Sequence, residues 1–85
     1  METETKIKIA TDLIRKAVEI NNSTHHDVFI TYSPHVDWLR VCIYKNGWDS
    51  ASTGNTYTVD FSTKAAVDAY MDILTILDKL LYNVI

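Results

Sequence analysis

Three observations predict an α+β fold, an αβββα two-layer sandwich with two helices packed on one face of a three-stranded antiparallel sheet. Residues 5–21 and 63–84 carry apolar side chains at helical spacing. Between them lie three runs whose apolar residues alternate at period two. The connections along these runs are short, which favours a meander. At 85 residues the chain makes one domain, 1–85, with a thin core, because surface scaling lets such a chain bury only about two-thirds of its unfolded surface.

In the first helix Ile7, Ala10, Leu13, Ile14, Ala17 and Val18 form the expected buried stripe, with Lys8, Asp12, Arg15, Lys16 and Glu19 turned to solvent. Asn21-Asn22-Ser23-Thr24 ends it, since these side chains hydrogen-bond nearby backbone. A hairpin follows. Val28, Ile30 and Tyr32 alternate with Phe29 and Thr31, and Leu39, Val41 and Ile43 alternate with Trp38, Arg40, Cys42 and Tyr44. Pro34 cannot take the positive φ of a type I′ turn, so a four-residue loop at 33–36 built on a type I turn is expected. That loop sets Tyr32 opposite Asp37, Ile30 opposite Leu39 and Val28 opposite Val41, with Phe29 facing Arg40 and Thr31 facing Trp38 on the outside.

Beyond Tyr44, Gly47 reads as a bulge that lets Trp48 pair near Tyr57 while Phe61 faces the core beside Ile43. Residues 50–56 then form the turn. Tyr57, Val59 and Phe61 alternate with Thr58 and Asp60 as the third strand. Ser62 is the expected N-cap of the last helix, and Phe61 with Ala66 its hydrophobic staple. The stripe of that helix is Ala66, Tyr70, Ile73, Leu74, Leu77, Leu80, Leu81 and Val84, widened by Ala65, Ala69 and Ile76 on one flank and by Val67 and Ile85 on the other. So broad a stripe needs more than a sheet to cover it. The first helix or a second copy, as a two-fold homodimer packing on the Ala65, Ala69 and Ile76 flank or on the outer sheet face, is expected to do so.

Composition narrows the function. With 47% apolar and 22% charged residues the chain reads as globular. The lone Cys42 excludes an intramolecular disulfide, a zinc ribbon or a CxxC redox pair, and fits a reducing compartment. Met1-Glu2-Thr3-Glu4 does not open a signal peptide, and no apolar run approaches the roughly 20 residues that cross a bilayer. A cytoplasmic protein with no membrane contact is expected. Net charge is −3, and residues 25–85 set seven aspartates against Arg40, Lys45, Lys64 and Lys79. Phosphate contact needs clustered Lys and Arg, so nucleic acid is a disfavoured partner.

No catalytic constellation assembles. His25 and His26 are expected to point to opposite faces of a strand, with His35 at the far end of the hairpin, so no metal site is expected. Cys42 is expected opposite Asp27, which would disfavour its thiolate. Residues 50–56 hold one glycine, lack a following lysine and precede a strand, unlike a phosphate loop. Asp68 and Asp72 sit four apart on a solvated helix face. The reading is therefore non-enzymatic, without cofactor. The candidate binding site is Phe29, Trp38, Arg40 and Tyr44, residue types that dominate interface hot spots, placed on the outer sheet face. The competing reading of that cluster is Arg40 stacked on Phe29 or Trp38 as a self-contained cation–π group.

Two resemblances follow from particular segments. The αβββα order, with Ser62-Thr63-Lys64-Ala65-Ala66 opening the last helix, is similar in outline to double-stranded RNA-binding domains. That family opens its last helix with a phosphate-gripping lysine cluster; here Lys64 alone matches, and Asp68 and Asp72 follow, so duplex nucleic-acid binding stands as the alternative function. In size, in Val28-Phe29-Ile30-Thr31-Tyr32 and in Ile43-Tyr44-Lys45-Asn46-Gly47-Trp48, the chain resembles small uncharacterised accessory proteins of phages and prophages of Gram-positive bacteria. That resemblance implies a protein acting inside the bacterial host cell by binding a host or phage protein of unknown identity, with inhibition of a host defence system as one branch.

Overall fold

The computed structural model describes residues 1–82 and has the elements α1 (Thr3–Ser23), β1 (Asp27–Ser33), β2 (Trp38–Tyr44), β3 (Asn55–Asp60) and α2 (Ala66–Tyr82). The expected α+β class holds. The strands form an antiparallel sheet in the order β1-β2-β3, α1 packs against β1, α2 against β3, and the helices against each other. Val84 and Ile85, assigned above to the last helix, lie outside the described residues.

The first helix is rolled relative to its expected stripe. Ile9, Leu13, Ala17 and Ile20 are its buried residues, whereas Ile7, Ile14 and Val18 are 51%, 48% and 53% exposed. At 3.6 residues per turn this is a rotation of roughly 80°. The cause is the second helix. Asp12 and Lys16, expected in solvent, face α2: the Tyr70 hydroxyl donates to Asp12 Oδ2 at 2.6 Å, and Lys16 Nζ lies 3.0 Å from Asp78. The end of α1 is where its polar run places it. Asn22 donates to Val18 O, Ser23 to Glu19 O, and Thr24 to Ile20 O from both its amide and its hydroxyl, so the last carbonyls are satisfied. Asn21 reaches outward instead. Its amide donates to Val28 O at 3.0 Å and accepts from Val28 N at 2.7 Å.

The hairpin register differs from the expected one by two residues. Val28 pairs with Ile43, Ile30 with Val41, Tyr32 with Leu39 and Ser33 with Trp38. The loop is 34–37, closed by Asp37 N donating to Pro34 O at 3.3 Å, and Asp37 adopts φ 56. A short polar side chain tolerates that left-handed geometry, which lets the loop start at the proline and leaves Ser33 in the strand. Because the shift is even, every side chain keeps its expected face. Asp37 is also a junction: its carboxylate accepts from Lys6 Nζ at 2.6 Å and from the Tyr32 hydroxyl at 3.2 Å, and its carbonyl accepts from Phe61 N at 3.1 Å.

The bulge at Gly47 is not formed. The second strand ends at Tyr44, and Gly47, with φ 87, closes a turn by donating its N–H to Tyr44 O at 3.2 Å. Trp48 therefore does not approach Tyr57, which pairs with Val41; Trp48 is 56% exposed and gives its N–H to Asp27 at 2.7 Å. Phe61 is buried as expected, but beside the Asp37 turn; Ile43 has Asn55 opposite it instead. The reason is that residues 45–54 form a folded connection, held by Asp49 and Ser52, where a longer strand was expected.

Ser62 is not the N-cap of α2. Its amide and hydroxyl both donate to Asp60 Oδ1, and Thr63 bonds Asp60 O, so an Asp60-centred turn occupies 60–63 and the helix begins at Ala66. Phe61 and Ala66, the expected staple pair, are both core residues. Ile73 and Leu77 are buried, and Ala69, Tyr70, Leu74, Ile76, Leu80 and Leu81 pack around the core. The sheet and α1 together cover most of the broad stripe, but Val67, on one expected flank, is 49% exposed. The flank expected to meet a second copy is largely used internally, with Ala65 exposed and Ile76 and Ala69 packed on the core.

Three carboxyl groups sit below their ordinary value of about 4: Asp12, chiefly through the Tyr70 hydroxyl and then Lys8; Asp37, chiefly through Lys6; and Asp60, chiefly through Ser62. A carboxylate whose folded value lies below its unfolded one adds stability above the unfolded value and loses it as pH falls through the folded value. Urea midpoints should therefore hold from pH 7 to about 5 and then drop as pH falls below the ordinary carboxyl value of about 4. In Asp37→Asn the neutral-pH midpoint should be lower and the acid-side drop smaller.

Candidate functional site

Strand parity builds the outer face. Residues paired inward leave Phe29 and Thr31 of β1, Trp38, Arg40, Cys42 and Tyr44 of β2, and Thr56, Thr58 and Asp60 of β3 on the side opposite the core. All four candidate residues lie there. The central strand carries three of them and is hydrogen-bonded on both sides, which fixes their backbone.

The four form two pairs. Phe29 meets Tyr44 edge to face, with ring centroids 5.6 Å apart, and the Arg40 guanidinium lies 5.5 Å from the Trp38 ring. The expected opposition of Phe29 and Arg40 is replaced by Phe29 against Cys42 and Arg40 against Thr31, the consequence of the register shift. Trp38 lies opposite Asp60, and its indole adds to the Ser62 hydrogen bonds that lower the Asp60 carboxyl. Arg40 stays exposed, and Phe29 keeps 48% of its surface open.

Cys42 does not face Asp27. The same shift brings Tyr44 opposite Asp27, whose carboxylate is engaged by the Trp48 amide. The thiol is half-buried between Phe29 and Thr56, whose hydroxyl lies 3.6 Å from Sγ. The thiol in turn pushes the Tyr44 phenol above its ordinary value. Gly54 is the residue that sequence reasoning passed over. A Cβ there would lie 2.6 Å from Cys42 Sγ and 2.8 Å from the Tyr44 ring, so the connection into β3 crosses the outer face at a distance only glycine allows. The signal was a lone glycine immediately before a threonine-rich strand.

His25 and His26 do not point to opposite faces. Both precede β1, their rings lie against each other at a 42° tilt with centroids 4.3 Å apart, and His26 Nδ1 is hydrogen-bonded to Lys45 O. His35 is in the turn at the other end of the hairpin. Among the described residues no group of three or more His, Cys, Asp or Glu can hold a metal ion, and no helix is long and apolar enough to cross a membrane.

The rolled first helix creates a second surface that the sequence pattern assigned to the core. Ile7, Ala10 and Ile14 of α1 face Ile30 and Tyr32 of β1 across a cleft of about 360 Å³. No family model, curated protein or solved structure matches this chain.

The close approach at Gly54 yields a direct test. Gly54→Ala forces a methyl group into the Cys42 and Tyr44 side chains, and overpacking of this kind costs about 1–3 kcal/mol. Urea denaturation should show that loss, and near-ultraviolet dichroism should report a disturbed Tyr44.

Proposed function

We propose that this chain is a small non-enzymatic module that binds a protein partner through the outer face of its sheet, with Phe29, Trp38, Arg40 and Tyr44 as the contact residues. The observation that carries the reading is that Phe29, about half exposed, and an exposed Arg40 lie on one sheet face that neither helix covers. Aromatic and arginine side chains give large contact area at low entropic cost, and here Trp38, Arg40 and Tyr44 are held on the central strand, paired on both edges, with Phe29 on the neighbouring edge strand. The edge-to-face and cation–π pairs pre-order them, which lowers the entropy lost on binding. The thiol of Cys42 has an aromatic ring and a hydroxyl as neighbours, which supports a role in packing over one in nucleophilic catalysis.

The resemblance of residues 28–32 and 43–48 to phage and prophage accessory proteins supports an origin of that kind, with a host or phage protein as the partner inside the bacterial cell. The duplex-RNA alternative is weakened by Asp68 and Asp72, which lie exposed on α2 after Lys64.

Affinity capture from host extract tests the reading. Phe29→Ala combined with Arg40→Ala removes two exposed side chains, so the captured partner should be lost while the thermal midpoint moves little. The control pair Val67→Ala and Met71→Ala, exposed on α2, should retain it. Equal capture by all three proteins would refute the outer face as the site.

A further inference from the structure

The edge of the sheet at β1 has a pattern of blocked and open backbone groups that selects one pairing. In an antiparallel ladder alternate residues turn both N–H and C=O away from the neighbouring strand. Val28 is one of these, because the Asn21 amide answers both of its groups from outside the sheet. Ile30 and Tyr32 share that parity, and outside the ladder no hydrogen bond reaches their backbone groups among the described residues. The stretch Val28-Phe29-Ile30-Thr31-Tyr32 also carries no charge or proline of the kind that protects free edges.

We propose that two copies of this chain pair edge to edge through β1, about a two-fold axis at Thr31, to form a continuous six-stranded sheet. In this register Ile30 exchanges its N–H and C=O with the partner's Tyr32, and Tyr32 with the partner's Ile30. Val28, already satisfied by Asn21, falls opposite the partner's Pro34, which has no N–H to give. An axis at Ile30 would bring Tyr32 against the blocked Val28, and an axis at Tyr32 would bring Ile30 against proline. Thr31 is thus the centre that uses every open group.

The side chains agree with this occupant. The first helix runs alongside β1 with Asn21 and Val18 near Val28, Ile14 near Ile30 and Ile7 near Tyr32. The same axis therefore sets Ile7 beside the partner's Ile14. These residues, with Val18 and Tyr32, are each about half exposed. Lys6 is the charge at this cleft, and it is paired with Asp37 at 2.6 Å, so a copy meets a neutral apolar flank. On the outward side of α2 a copy would set Asp68 and Asp72 against themselves. The dimer is independent of the outer-face reading, and either can fail without the other.

Disulfide trapping in the Cys42→Ser background tests the register, with sedimentation of the unmodified chain as its companion. At the axis the two copies of residue 31 form a non-hydrogen-bonded pair with Cα atoms about 4.5 Å apart, within disulfide range. The two copies of residue 33 would lie roughly 13 Å apart along the strands. Thr31→Cys should therefore oxidise to a covalent dimer and Ser33→Cys should not. The unmodified chain should sediment as a dimer at tens of micromolar, and Ile14→Glu as a folded monomer by circular dichroism. A chain that stays monomeric on concentration, a dimer that survives Ile14→Glu, or equal trapping at 31 and 33 would each overturn the proposal. So would a monomer whose β1 edge takes up a peptide strand.

Discussion

Asp37 is the point on which the rest of the arrangement turns. Its left-handed backbone closes the hairpin loop at 34–37 and so fixes the register of β1 on β2. Its carbonyl receives the Phe61 amide and so fixes where the chain leaves β3. Its carboxylate holds Lys6, which also lies 5.8 Å from the Phe61 ring, and so pins the start of α1 over the same end of the sheet. Most of the stabilising free energy comes from apolar burial by residues such as Leu13, Leu39, Val59 and Leu77. A partly exposed ion pair adds little to that sum, but burial is tolerant of where each element slides and Asp37 is not.

With α1 pinned at that end and tied by Asn21 to Val28 at the other, its contacts with α2 set its roll. The helix spans the sheet beside β1, turns Ile9, Leu13, Ala17 and Ile20 inward, and presents Asp12 and Lys16 to Tyr70 and Asp78 of α2. These polar contacts raise the Tyr70 phenol to about 12 and push the Lys16 ammonium above its ordinary value. The cost of that roll is the exposed row Ile7, Ile14 and Val18.

This explains which parts of the fold were legible in the sequence. Alternation at period two placed every strand residue on its correct face, so the outer cluster of Phe29, Trp38, Arg40 and Tyr44 was readable. The same alternation is blind to a slide by two, so the partners Phe29 with Tyr44 and Arg40 with Trp38 were not. In α1 the apolar count was spread over a wide arc containing both Ile7 and Ile9, and only the position of α2 chose between them. Ser62 matched a capping residue in type, but Asp60 two positions earlier offered the stronger acceptor. Gly54 and the α1 cleft depend on contacts between segments distant in sequence, which a local pattern does not carry.

The outer face and the β1 edge place different demands on a partner. The face offers side chains of β1 and β2, so recognition there would be by shape and by aromatic and cationic contact, without disturbing the ladder. The edge offers main-chain groups at Ile30 and Tyr32 together with apolar side chains from a second element, so whatever pairs there must be extended and must end where Asn21 begins. Phe29 connects the two, since it belongs to the edge strand but points to the outer face. Any occupant of the edge therefore lies next to the aromatic cluster and extends the sheet beside it, whereas an occupant of the face leaves the edge groups unpaired. The two surfaces are geometrically compatible, and occupation of the edge extends the face.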